Sequence, residues 1–103
     1  MIETRPALQL LARRIGYSFK DLDLLDLAVS HRSWCAEHDD APSNERLELL
    51  GDAVLGHCVA AYLYREYPGW SEGDLAQARS AIVNASALAE VADRYGIGEA
   101  LLL

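Results

Sequence analysis

The sequence predicts an all-α fold, a bundle of about five helices. Apolar residues recur at steps of three and four along most of the chain, as in amphipathic helices. No segment of useful length alternates apolar and polar residues, as a β-strand would. Glycine or proline stands where these helical periods stop, at Gly16, Pro68 and Gly96. The 103 residues suffice for one domain, which we take as residues 1–103.

The first two predicted helices are short and amphipathic. The first runs from Pro6 to Ile15, because proline suits an early helical position and Gly16 can end the helix. Its apolar face comprises Leu8, Leu11 and Ile15. The second runs from Asp21 to Ser30, and the residues predicted to face inward are Leu22, Leu25 and Val29.

A polar loop and a long central helix follow. Residues Trp34 to Ser43 are acidic and lack an apolar period, which predicts a surface loop. Ser43 is a favourable N-cap for a helix that runs to about Tyr67. Gly51 and Gly56 inside this helix indicate that another backbone approaches closely. The stripe predicted to face the core comprises Leu47, Leu50, Val54, Cys58 and Ala61.

Two further helices complete the predicted bundle. Ser71, with Asp74 three residues later, forms a capping-box arrangement that opens a fourth helix through Val83. The fifth helix is predicted from about Ala87 to Tyr95. The candidates for its N-cap are Asn84 and Ser86.

Composition and charge limit the classes of function. Hydrophobic residues make up 51% and charged residues 24%, as in ordinary globular proteins. The N-terminus lacks the layout of a signal peptide, and no apolar run approaches the roughly 20 residues that span a bilayer. We therefore expect a cytoplasmic protein that does not associate with a membrane. Cys35 and Cys58 are expected to be reduced thiols, with Cys58 packed as a small apolar group. The net charge of −7 is the opposite of the basic footprint that nucleic-acid binding normally leaves.

The most informative stretch is an acidic row on the central helix. Glu45, Glu48 and Asp52 are three and four residues apart, so they project from one face. Like charges at this spacing cost about 0.2–0.5 kcal/mol per pair, and no lysine or arginine stands four residues away to compensate. Either solvent offsets this repulsion on a plain acidic face, or a hard divalent cation that prefers carboxylate oxygens does so.

The residues around this row resemble a known family. The segment from Asn44 to Leu55 resembles the signature of the ribonuclease III catalytic domain, N-E-R-L-E-(aromatic)-L-G-D-(small)-(aliphatic)-L. Residues Ser30 to Ser33 resemble the family's upstream His-Arg-Ser segment. Residues Ser71 to Leu75 and Gly96 to Glu99 resemble the segments that follow the signature. The chain is thus expected to be the N-terminal part of that domain.

The resemblance implies an enzyme, a metal-dependent endoribonuclease that hydrolyses double-stranded RNA in RNA processing. Glu48 and Asp52 match catalytic residues that bind Mg²⁺, for which Mn²⁺ can substitute. Glu45 and Glu72 match carboxylates associated with substrate positioning. Both also stand where a helix start favours a negative charge, so the functional and the structural interpretation of these two residues stay open.

The chain departs from the family pattern in two places. The family's aromatic residue that inserts into the partner of a homodimer is replaced by Leu49, which predicts a dimer weakened by about 1–2 kcal/mol. The family's other two metal ligands, an Asp and a Glu, lie in a segment resembling S-I-L-A-D-x-x-E-A. The given chain reaches Leu103 without such a segment and without a double-stranded-RNA-binding domain.

Two expectations follow from these departures. The chain is expected to be truncated at its C-terminus and inactive by itself, because half of the implied ligand set is missing. The alternative is a catalytically silent ribonuclease III-like scaffold, or a ribosome-associated module, that binds other proteins through apolar patches.

Overall fold

The structure is a computed structural model that describes residues 5–103. It contains six α-helices and a closing 3₁₀-helix, η1. Their bounds are α1 Pro6–Ile15, α2 Leu22–Ala28, α3 Arg32–Ala36, α4 Glu45–Glu66, α5 Glu72–Ile82, α6 Ala85–Tyr95 and η1 Ile97–Ala100. The described residues form no β-strand, and their one strand-like contact is an isolated parallel bridge between Ser30 and Leu102. The predicted all-α class is confirmed.

Helix α3 corrects the prediction of a loop from Trp34 to Ser43, because the loop begins only after Ala36. His31 caps this helix through its ring, whose Nδ1 accepts a hydrogen bond from the backbone N–H of Ser33 at 3.1 Å. A helix of five residues makes barely more than one turn, too short to display an apolar period. The sequence pattern therefore could not reveal it.

The other helix termini largely follow their sequence signals. Gly16 ends α1 in the left-handed conformation, at φ 73°, which glycine adopts without steric cost. The hydroxyl of Ser71 accepts a hydrogen bond from the Asp74 N–H at 3.1 Å and so caps α5, as predicted. For α6 the cap is Asn84 and not Ser86, so this helix begins two residues earlier than expected, at Ala85.

One buried core lies where α1, α2 and η1 meet. Its fully packed members are Leu8, Leu11, Leu25, Val29 and Ala100. Two ion pairs join the same elements, Arg5 Nη2 to Asp26 Oδ1 at 3.1 Å and Arg14 Nη1 to Glu99 Oε2 at 3.2 Å. We call this region the N-terminal core. Most of its predicted apolar faces are correct, except that Ile15 is exposed at the last residue of α1.

Helices α4 and α5 form a second region, which we call the α4–α5 arm. Helix α4 makes its main helix contact with α5, and Leu63 is its one buried residue among those the structure describes. The predicted core-facing stripe is wrong here, since Leu50 and Val54 are 61% and 53% exposed. The arm gives the molecule extents of 51 × 27 × 23 Å and a radius of gyration of 16.2 Å. A compact domain of about 100 residues has a radius of gyration near 13 Å.

Three smaller predictions concern the glycines of α4 and the two cysteines. A Cβ built at Gly51 or Gly56 would meet no described atom within 4 Å, so the close approach inferred for these glycines is wrong for residues 5–103. Both cysteines are free, as expected. Cys35 is buried and donates to the Pro42 carbonyl oxygen at 3.3 Å, but Cys58 is exposed and not packed as predicted.

Helix α4 is long and apolar enough to cross a membrane by length and composition, which the sequence analysis did not expect. The sequence analysis looked for a continuous run of apolar residues, and Glu48 and Asp52 break any such run in this helix. An acidic residue at the centre of a membrane-spanning helix costs about 2.5–3.5 kcal/mol. A single helix that passes by length and composition is weak evidence for a membrane span, so α4 carries no membrane assignment.

Candidate metal centre

Asn44 fixes the start of α4, the helix that carries the acidic row. Its backbone N–H donates to the Ser30 carbonyl oxygen at 2.9 Å, and its side-chain Nδ2 donates to the Ala28 carbonyl oxygen at 2.8 Å. Asn44, not the predicted Ser43, occupies the N-cap position, and its side chain is used for this tie and not for capping. The first turn of α4 is therefore attached to the end of α2.

A backbone segment after η1 holds the same junction from the other side. The His31 N–H donates to the Leu102 carbonyl oxygen at 2.9 Å, and the Leu102 N–H donates to the Val29 carbonyl oxygen at 2.9 Å. These bonds make the bridge between Ser30 and Leu102. The N-terminal core thereby supports the junction from which Asn44 positions α4. Sequence analysis did not predict this support, because long-range backbone pairing of one residue leaves no periodic signal.

The first cavity beside the acidic row lies at the start of α4 and is about 370 Å³ in volume. We call it the Glu48 cavity. Inside it Arg32 Nη1 lies 3.7 Å from Glu45 Oε1, and both side chains are largely exposed. Glu45 thus has a cationic neighbour that its sequence position did not reveal. The lining residues are His31, Arg32, Asn44, Glu45 and Glu48.

The second cavity lies between α4 and α5 and is about 230 Å³ in volume. We call it the Asp52 cavity. Helix α4 contributes a carboxylate and a glycine to it, and α5 contributes a guanidinium and a hydroxyl. Its lining residues are Asp52, Gly56, Arg79, Ser80 and Val83.

Glu48 and Asp52 lie on successive turns of α4, where residues four apart have Cβ atoms about 5–6 Å from each other. Within residues 5–103, no lysine, arginine or histidine nitrogen forms an ion pair within 4.0 Å of either carboxylate. The pair therefore remains available to a cation from solvent. The two residues do not share one cavity, because Glu48 lines the Glu48 cavity and Asp52 lines the Asp52 cavity.

The pair has no third protein ligand in the part of the chain that the structure describes. No group of three His, Cys, Asp or Glu side chains there is arranged to hold a metal ion. Glu72 lies in the first turn of α5 and lines neither of the two cavities, so it is not brought to Glu48 and Asp52. Two carboxylates nonetheless fit Mg²⁺, which is commonly held by one or two carboxylates and keeps several waters.

Leu49 faces away from both cavities and borders an apolar groove of about 800 Å³. Its side chain is 78% exposed. The polar groups of this groove are few, and most of its lining is aliphatic. The apolar lining residues are Leu27, Pro42, Leu47, Leu49, Leu50 and Ala53.

Comparison with known proteins finds one family over most of the chain. The model of the Ribonuclease-III-like family matches residues 21–103. Ribonuclease 3 of Leifsonia xyli is 53% identical over 83 residues, which are 81% of this chain and 35% of that protein. Ribonuclease 3 of Corynebacterium jeikeium is 54% identical over 81 residues, 79% of this chain and 33% of that protein. The chain thus spans about a third of the length of the curated relatives it matches.

Solved structures give the same result for the fold. Two structures of the nuclease domain of ribonuclease III from Campylobacter jejuni align with TM-scores of 0.86 and 0.85, at 38% and 36% identity. The alignments cover 93% and 96% of this chain, and 64% and 65% of the nuclease domain. The first of the two structures is described for flexibility in a region involved in dimer formation.

Proposed function

Because this chain belongs to the ribonuclease III family, we propose that it is part of a metal-dependent endoribonuclease that hydrolyses double-stranded RNA in the cytoplasm. The observation that supports this function best is the pair Glu48 and Asp52. These carboxylates lie one turn apart on the signature helix, and no described cation forms an ion pair with them. Together with the match of this helix to the family signature, the unpaired carboxylates favour a divalent cation over a plain acidic surface.

In this proposal, Glu48 and Asp52 hold Mg²⁺, or Mn²⁺ in its place, beside the scissile phosphate. The bound ion would lower the pKa of a coordinated water and stabilise charge on the phosphate oxygens. The rigid backbone of α4 sets the spacing of the two ligands, and Asn44 sets the position of the helix that carries them. Arg32 lies beside Glu45, which we propose positions the substrate at the edge of the Glu48 cavity.

We propose that cleavage also requires ligands from outside residues 5–103. Two carboxylates leave most of the coordination shell to water, so the ion is held loosely. The chain by itself is expected to bind metal weakly and to leave duplex RNA intact. Glu72 stands apart from the pair, and a role in substrate placement would require the RNA to extend from the acidic row to the start of α5.

Isothermal titration with Mn²⁺ tests the metal site. The double variant Glu48→Gln/Asp52→Asn is expected to bind Mn²⁺ at least about tenfold more weakly than the wild type, which corresponds to about 1.4 kcal/mol. The control is Glu90→Gln/Asp93→Asn, which removes two exposed carboxylates from one face of α6, one of them paired with Arg94, and should leave the affinity unchanged. Equal losses in both double variants would mean that the acidic row is a solvated face.

A second candidate function is the catalytically silent scaffold. It is favoured by the lack of a three-residue ligand cluster within residues 5–103 and by the apolar groove at Leu49. A pure scaffold would bind Mn²⁺ with the same affinity whether or not Glu48 and Asp52 are substituted. The titration above therefore separates the two functions.

We further propose that two copies of this chain associate through the Leu49 groove. The support is a largely exposed leucine at the position where the family resemblance implies an inserted aromatic residue. Sedimentation at several concentrations should give a weak dimer for the wild type and a dimer about tenfold tighter for Leu49→Phe, equivalent to about 1.4 kcal/mol. Leu49→Asp should be monomeric. A wild type and Leu49→Asp that sediment alike would contradict this interface.

A further inference from the structure

We propose that Arg79 binds a backbone phosphate of the RNA, and that the Asp52 cavity is the site that receives this phosphate. The inference rests on the proposed function and extends it from the metal ligands to a substrate contact. It adds α5 to the catalytic face of α4, through residues that the analysis of sequence motifs did not single out as site residues.

The chemistry of the cavity fits a phosphate. Arg79 supplies a planar guanidinium whose donors match two phosphate oxygens at once, and Ser80 beside it supplies a hydroxyl. A Cβ at Gly56 would meet no described atom within 4 Å, so the floor of the cavity on α4 is open. A volume of about 230 Å³ accommodates a phosphate group with bound water.

The guanidinium of Arg79 has no carboxylate partner within 4.0 Å among residues 5–103, although Asp52 lines the same cavity. Four other arginines form ion pairs, namely Arg5, Arg14, Arg32 and Arg94. Arg46 borders the apolar groove instead. Arg13 and Arg65 form no such ion pair either, but neither lines the Glu48 cavity or the Asp52 cavity. Arg79 is therefore distinguished by its place in the cavity of one proposed metal ligand.

The overall charge of the chain favours such a cation. The chain carries a net charge of −7, and the acidic row on α4 repels a phosphate backbone. A divalent ion at Glu48 and Asp52 reverses this repulsion at one point, and Arg79 extends the positive potential into the neighbouring cavity. The same positive charge opposes the binding of a divalent ion at Asp52. Removing it should therefore weaken RNA binding and strengthen metal binding.

The test uses the chain itself with a short duplex RNA, because the chain is not expected to cleave it. Fluorescence anisotropy in Mg²⁺, over a series of salt concentrations, gives the RNA affinity and its salt dependence for the wild type and Arg79→Gln. We expect Arg79→Gln to lower the affinity by about tenfold and to reduce the slope of log affinity against log salt by about 0.7–0.9, the effect of one phosphate contact. Arg79→Lys should keep the salt slope and lose only part of the RNA affinity, because lysine retains the positive charge but cannot bind two phosphate oxygens with a planar guanidinium.

A second measurement separates a phosphate contact from a structural role. In titrations with Mn²⁺ alone, Arg79→Gln should bind the ion about two- to threefold more tightly, because a nearby positive charge is gone. The matched control is Arg65→Gln, an exposed arginine in the last turn of α4, which removes the same charge far from Asp52 and should change neither the salt slope nor the Mn²⁺ affinity.

The outcomes distinguish this inference from the function on which it rests. An unchanged salt slope in Arg79→Gln, with metal-dependent RNA binding by the wild type, overturns the role of Arg79 and leaves the proposed function intact. Losses of both RNA and Mn²⁺ affinity in Arg79→Gln also overturn it, since they indicate that the residue supports the fold. A wild type that binds no duplex RNA at any Mg²⁺ concentration overturns the proposed function itself, and the phosphate site with it.

Discussion

The N-terminal core and the α4–α5 arm carry similar apolar helix patterns and differ in how these patterns are used. In the core, Leu8 is completely buried where α1 packs on α2 and η1. On the arm, Leu50 and Val54 recur at helical spacing yet are more than half exposed. A periodic pattern thus identifies which residues share a face, but the elements available for packing decide whether the face is covered.

The covering of the core comes from segments far apart in the chain. Arg14 on α1 pairs with Glu99 on η1, and Leu102 pairs with the backbone around Ser30. Helix α4 has only α5 as its main neighbour among the described helices. The α4–α5 arm is joined to the core by the tie at Asn44 and, after α5, by α6, which contacts α1 and η1. Because α4 itself has little cover, the two regions should respond differently to substitution.

The largest difference is expected from leucine truncation. Leu8→Ala removes a fully buried side chain from the core and should lower the free energy of unfolding by about 2–5 kcal/mol. At protein concentrations low enough to keep the chain monomeric, Leu49→Ala removes the same atoms from an exposed position on α4 and should change it by less than about 0.5 kcal/mol. Urea unfolding followed by circular dichroism measures both values.

A large loss for Leu49→Ala would contradict this contrast. It would mean that the Leu49 groove is filled in solution. Repeating the urea unfolding at several protein concentrations then tells whether a second copy fills it, because only a dimer makes the midpoint depend on concentration.

An intermediate effect is expected at the junction between the two regions. Asn44→Ala removes the side-chain donor of the Ala28 carbonyl oxygen, an exposed hydrogen bond, and should cost about 0.5–1.5 kcal/mol of stability. It should also weaken Mn²⁺ binding, because α4 then loses part of its attachment to the core. Urea unfolding and Mn²⁺ titration measure the two effects.

The matched control for Asn44 is Asn84→Ala, which removes the N-cap of α6. It is expected to cost about 1 kcal/mol of stability and to leave Mn²⁺ affinity unchanged. Equal effects of the two variants on Mn²⁺ affinity would show that Asn44 only stabilises its own helix.

Sequence analysis predicted the class of the fold and most helix termini, because these depend on local rules. The glycine after α1 and the cap at Ser71 act within a few residues. It missed α3, which is too short for a period, and the exposure of α4, which depends on long-range packing.

The candidate site divides in the same way. The spacing of Glu48 and Asp52 follows from helical geometry alone and was predictable. The pairing of Arg32 with Glu45, and the placement of Arg79 beside Asp52, depend on how α3 and α5 approach α4. No rule of spacing within one helix contains that information.

A small effect of the opposite sign tests whether the α4 face is open. Gly51 lies inside α4, and a Cβ there would meet no described atom within 4 Å, so Gly51→Ala should stabilise the chain by about 0.5–1 kcal/mol. Gly96→Ala is the contrasting control, because Gly96 has φ 68° and a Cβ would collide with the Arg14 guanidinium. Thermal unfolding measures both. If Gly51→Ala destabilises the chain at concentrations where it is monomeric, the α4 face is covered within a single copy, and the contrast between a covered core and an open arm is wrong.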